Sequence, residues 1–167
     1  MNFMAVNSGQ RGPAPGNSNG AGGIERRTSR LAYAYWFQMA AGRRFPSLDD
    51  LDLEAAGDLR ETFFFLTAGR DAAACTVLDC GPVLIDALGH DPTRMTMGDV
   101  APPAVRRRML EALQYVIDFG NPMEDQGAFT RGGKEVLYRL VFLPLAEDHS
   151  SVSHILGAFS FRLSIGV

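Results

Sequence analysis

Reactive and metal-binding side chains are scarce in this sequence. It holds three histidines and two cysteines in 167 residues. An enzyme needs a nucleophile, a base or metal ligands that converge, and no such set is spelled out here. His149 has Glu147 and Asp148 beside it in a polar loop, but neighbours on an irregular loop seldom share a metal without further ligands, and none follows. No metal and no catalysis are therefore expected. Cys75 and Cys80 are an odd number of positions apart. In a regular strand that spacing points them to opposite faces, so they read as small core residues and not as a disulfide. No apolar run approaches the roughly 18 residues of a membrane span. Met1 to Val6 is too short for a secretory signal and lacks a basic lead, so a reducing cytoplasm is expected. An excess of one charge is missing as well. With 19 acidic and 16 basic residues the net charge is −3, which gives no overall pull toward nucleic acid or anionic lipid. No basic stripe is interleaved with aromatics, so nucleic acid is not an expected partner.

What is present is enough for one well-filled domain. Apolar residues make up 46% and charged residues 21%, the balance of a globular protein able to bury a core unaided. Residues 1–23, containing NSGQRGPAPGNSNGAGG, cannot repay ordering by burial and read as a flexible tail. Their glycines are no phosphate loop, because no strand precedes them and no Gly-Lys-Ser/Thr follows. Residues 24–57 read as a helix and its connector, and residues 58–167 as the core.

In the helix, from Ile24 to about Gly42, Leu31, Tyr35 and Met39 recur at four-residue steps, widened by Ala32 and Trp36. That stripe suits packing on its own domain or pairing with a second copy. Pro46 and the acidic SLDDLDLEAAGD form the connector. A strand opens at ETFFFL, whose three consecutive phenylalanines need cover on both faces. Gly69 to Asp71 reads as a hairpin turn, and Ala72 to about Asp79 as the returning strand. Pro82 suits the first turn of a short helix ending at Gly89. A longer helix from about Pro103 to Phe119 buries Val105, Met109, Leu113, Val116 and Ile117. Three strands close the chain: Met123–Thr130, a glycine turn, Glu135–Leu143 and His154–Ser164. The order is helix, two strands, helices, three strands, which predicts an α+β antiparallel sheet with its helices inserted mid-chain.

That order, with the motifs YAYWFQMAAGRRFPSLDDLD, CGPVLIDALGHDPTRMTMGDV, VIDFGNPMEDQ and LPL at their spacing, resembles the PAS domain. In particular it resembles a bacterial subfamily of small PAS proteins with a tryptophan-bearing first helix. The sequence departs from that subfamily at Pro82, where threonine is common, and at Arg94, where glycine is usual. The resemblance implies a sensory or interaction module with a five-stranded antiparallel sheet. It also implies three modes of action: a small ligand between sheet and helices, pairing through the first helix, or docking on a partner. No kinase, cyclase or DNA-binding segment accompanies it, so the expected output passes through another molecule.

The expected pocket face comprises Phe64, Leu66, Met109, Leu113, Tyr138, Leu140, Phe142, Phe159 and Phe161. Its large aromatics favour filling over an open cavity. The expected dimer or partner surface comprises Leu31, Tyr35, Trp36 and Met39. No cofactor is expected; haem would have to rest on His90, and the Asn-Cys-Arg context of flavin-binding relatives is absent. Successive helical residues step about 100°, so Arg106, Arg107 and Arg108 cannot all face one phosphate. The reading is a cytoplasmic PAS signalling regulator working by protein–protein contact, as a homodimer. Its alternative is a sensor holding an apolar ligand, a cofactor or a nucleotide second messenger.

Overall fold

Residues 20–164 are described by the computed structural model. The expected tail lies outside the described residues except for its last positions, which already belong to helix α1 (Gly20–Ala40). Four further helices follow: α2 (Leu53–Ala56), α3 (Pro82–Leu88), α4 (Met97–Val100) and α5 (Arg106–Phe119). The strands are β1 (Phe63–Thr67), β2 (Val77–Cys80), β3 (Met123–Arg131), β4 (Lys134–Leu145) and β5 (His154–Leu163). They form one antiparallel sheet in the order β2-β1-β5-β4-β3. Among the described residues no helix is long and apolar enough to cross a membrane.

Strand parity sorts ETFFFL onto the two faces. Phe64 and Leu66 are buried in the core shared with α3, α4 and α5, whereas Phe63 is buried with α1, and Phe65 is partly covered there. On the inner face Phe64 pairs in register with Gly157 of β5. The ring lies directly over that glycine, where a Cβ would come within 2.1 Å of it. It meets Phe142 edge-on at 6.2 Å, so one absent side chain lets two aromatic rings pack across the centre of the sheet.

Three boundaries differ from the sequence reading, each for a local reason. Ala72–Ala74 is a 3-10 turn, because the Asp71 side chain accepts from Ala73 N–H and coils the chain before β2 starts. The α5 helix begins at Arg106, after a turn in which Val105 N–H bonds Pro102 O. The connector carries two 3-10 turns, the first closed by a capping box between Ser47 and Asp50. Gly132 and Gly133 have φ of +57° and +78°, as the β3–β4 hairpin requires.

Candidate functional site

The space between the sheet's inner face and the helices is where a ligand would sit, and it is nearly full. Phe64, Met109, Leu140 and Phe159 line it, with Met97 and Phe129, around a cavity of about 20 Å³. A water needs at least about 10–15 Å³ and polar partners. This lining is apolar, so the cavity is a packing defect and not a water site. Leu66, Leu113, Tyr138 and Phe142 are packed solid in the same core, and Phe161 is half-buried at its edge. The nine predicted pocket residues thus share one face, and what they build is a filled core. Leu84, Leu88, Val100 and Ala101, contributed by α3, α4 and their flanks, also reach the cavity. Their short helices gave too little periodicity to place them from sequence.

On the outer face α1 lies across β4 and β5. Tyr35 and Trp36, expected at an interface, turn inward and are buried by the chain itself. Each carries its polar atom to a backbone acceptor. Trp36 Nε1–H donates to Pro144 O at 2.7 Å, and the Tyr35 hydroxyl donates to Asp52 O at 2.8 Å. Burial, and then the Asp52 charge, push the Tyr35 hydroxyl up to about 12. Met39 is half-buried against the same cluster. Leu31 stays exposed, joined by Phe37, which is 64% exposed and stacks on Tyr33 at 6.3 Å. The connector is held by a second set of contacts. The Asp50 carboxylate accepts from Ser47 N–H at 2.8 Å and meets His149 Nε2 at 2.8 Å and Arg43 at 2.9 Å. The Ser47 amide, then His149, hold it well below the usual carboxylate range.

The three consecutive arginines part company, as their angular step requires. Arg106 donates to Ala101 O, Arg107 pairs with Glu111 on the surface, and Arg108 pairs with Asp125 at 2.9 Å. Asp125 is buried and also accepts from the Tyr138 hydroxyl, whose pKa is raised by burial and by that carboxylate. Sequence reading missed this Arg108–Asp125–Tyr138 chain. Its one sequence signal was an acid at an inward position of β3, opposite Leu140 and diagonal to Tyr138. Cys75 and Cys80 are free thiols whose pKa burial raises, Cys80 to about 12, which suppresses thiolate chemistry. Among the described residues no group of three or more histidines, cysteines and carboxylates is placed to hold a metal.

A PAS-domain family profile matches residues 24–160, most of the chain and nearly every element described above. The chain belongs to the PAS domain family. That family places it in signalling or sensing. Among solved structures it is similar to the PAS domain of Bordetella pertussis BvgS, with 19% identity over 63% of this chain and 76% of that one, at a TM-score of 0.45. It is also similar to a domain of an HTR-like protein from Haloarcula marismortui, with 18% identity over 59% of this chain and 94% of that one, at a TM-score of 0.39. A third likeness is to an RNA-binding light-oxygen-voltage receptor, with 19% identity and a TM-score of 0.45, over 60% of this chain but 29% of that chain. Likenesses this distant add nothing to the family assignment. No curated protein sequence matches the chain.

Within the PAS frame, the residues do not fit haem. His90 follows the left-handed cap Gly89, is exposed, and lies outside the lining of the inner cavity. The two departures from the subfamily have plain structural readings. Pro82 occupies the first turn of α3, where its missing N–H costs nothing. Arg94 has φ +75°, the left-handed region that favours glycine, and its N–H donates to Val77 O at 2.8 Å.

Proposed function

We propose that this PAS domain regulates a bacterial signalling pathway from the cytoplasm by protein–protein contact, as a homodimer paired through the exposed side of α1. The proposal assigns it no catalytic step. The observation that carries it is the inner cavity of about 20 Å³, against roughly 300–1,000 Å³ for a typical ligand pocket. A PAS domain with no room for a cofactor-sized ligand between its sheet's inner face and the inserted helices transmits through its surfaces. The exposed side of α1 offers Leu31, Ala34 and Phe37 at three-residue steps, an apolar strip backed by the inward Tyr35 and Trp36.

Light scattering at micromolar concentration tests the pairing. A dimer is expected for the full chain and a monomer for the Leu31→Ser/Phe37→Ser double variant, with both melting within a few degrees of each other. A monomeric unmodified chain sinks the homodimer. The alternative of a small-molecule sensor draws support from Met97 and Met109, whose unbranched side chains can re-pack around a guest. Native mass spectrometry of freshly purified protein decides between the two, since a retained small molecule would favour the sensor.

A further inference from the structure

The two edges of the sheet are finished differently. β2 is four residues long, and Val77 spends both of its backbone groups on the chain that follows: its N–H on Met95 O and its C=O on Arg94 N–H. An isolated bridge, Thr76 to Thr96, extends that cover. β3 is nine residues long and pairs with β4 without a bulge from Met123 to Arg131. No backbone hydrogen bond from a described residue closes its outer side. A long, regular, uncovered edge strand is a template for another strand unless it is guarded by proline, lysine, a bulge or a covering element. Among the described residues β3 has none of these guards, and its inward charge, Asp125, is consumed by Arg108 and Tyr138.

A cleft of about 610 Å³ runs along this edge. Strand parity shows that it straddles the strand. Met123 and Asp125 line it from the inner face beside Tyr115 of α5, while Glu124 and Gln126 line it from the outer face beside Ser29 of α1. The edge is therefore the floor of a slot between two helices. A floor walled on both sides by helices suits a single extended chain better than the broad edge of another folded sheet. The four floor residues span about 13 Å at the rise of a strand.

Side-chain chemistry states what the chain should carry. On the α5 side the wall is small and aromatic, Ala112 and the 39%-exposed Tyr115, which suits apolar side chains at alternate positions. Charge leans acidic. Three carboxylates, Glu111, Glu124 and Asp125, line the cleft against two guanidinium groups, Arg108 and Arg139. Arg108 is neutralised by Asp125 and Glu111 shares the exposed Arg107, while Glu124 is exposed. We propose that the β3 edge is a β-augmentation site for an extended segment of a partner protein, apolar at alternate positions and basic toward Glu124. This deepens the protein-contact reading and rests on it, and it uses a different surface from the α1 pairing.

The test pans a naive library of linear twelve-residue peptides against the full chain, then measures hydrogen–deuterium exchange of the chain with the enriched peptides. Expected are net-basic peptides with apolar residues at every second position, which slow exchange across Met123–Arg131. Tyr115→Ala and Glu124→Lys should each weaken them about tenfold while leaving the α1 pairing intact. Failure to enrich any peptide, or protection confined to the exposed side of α1, overturns the proposal. So does β3 protection that rises with protein concentration in the absence of peptide, which would make a second copy the occupant. A partner that binds but leaves β3 exchange unchanged would defeat this site and spare the protein-contact reading.

Discussion

The two faces of the sheet are covered by different means. The inner face meets three inserted helices through a large apolar interlock, Phe64, Phe142, Phe159 and Tyr138 against Met109, Leu113 and Val116. Polar ties sit at its margins: Arg108 to Asp125, and Gln114 to the backbone of Arg70 and Ala72. The outer face meets a single helix and a connector, held at a few named atoms: Trp36 on Pro144, Tyr35 on Asp52, Asp50 on Arg43 and His149. Packing of the first kind is lost only with the fold, because it has no part that detaches. Attachment of the second kind combines a smaller buried cluster, with Ala32, Trp36, Phe45 and Phe63 among its members, with a few directional bonds, and leaves Phe65, Leu48 and Leu51 only partly covered. The outer layer is thus the part that can loosen while the core stays folded.

This contrast can be broken first at the inner face. Phe64→Ala is expected to cost about 3–5 kcal/mol, read as a lower midpoint in urea unfolding, with both faces unfolding together. Gly157→Ala should follow at about 1–3 kcal/mol, since the new methyl group forces the Phe64 ring off its seat. On the outer face, Trp36→Phe leaves the buried Pro144 carbonyl without its donor. A cost of about 1–3 kcal/mol is expected by thermal melting, with proteolysis opening α1 before the core. If core and helix are lost at one midpoint in that variant, the two layers are not separable. Arg94→Gly should stabilise by about 0.5 kcal/mol, as relief of a left-handed arginine outweighs the added freedom of the unfolded glycine.

The smallest effect is confined to acid. Asp50 has a folded pKa below its unfolded value of about 3.9, so its stabilising contribution is full above that pH and is lost as pH falls. Fluorescence of the sole tryptophan, Trp36, should shift to the red as pH drops below about 4, and Asp50→Asn should flatten that change. Asp148, also held low by the Ser150 and Ser151 amides, leaves a residual slope in the variant.

Much of this was legible in the sequence because the relevant signals are periodic. The α5 stripe and the alternation of Tyr138, Leu140 and Phe142 put the right residues in one core. So did the strand parity of ETFFFL, although parity separates two faces without saying which helix meets which. That assignment depends on the β1–β5 pairing, which brings together residues about ninety positions apart, Phe64 with Gly157. A stripe on α1 was visible, but an apolar helix face looks the same whether its own sheet or a second copy will cover it. The hydrogen bonds of Tyr35 and Trp36 decide the matter, and neither acceptor is marked by residue type. The Arg108–Asp125–Tyr138 chain was hidden for a similar reason. Each of its members is ordinary alone, and only the β3–β4 register together with the seat of α5 on that sheet makes them neighbours.

The central position of β5 has a consequence during synthesis. Within the sheet the β1–β2 and β3–β4 hairpins are joined only by β5, His154–Leu163, so the sheet stays in two pieces until that strand arrives. At roughly 5–20 residues per second, the nascent chain carries Phe63, Phe64 and Phe65 uncovered for several seconds before their seat on β5 exists. The interval in which this chain most needs a chaperone therefore opens early in translation and closes with its final strand.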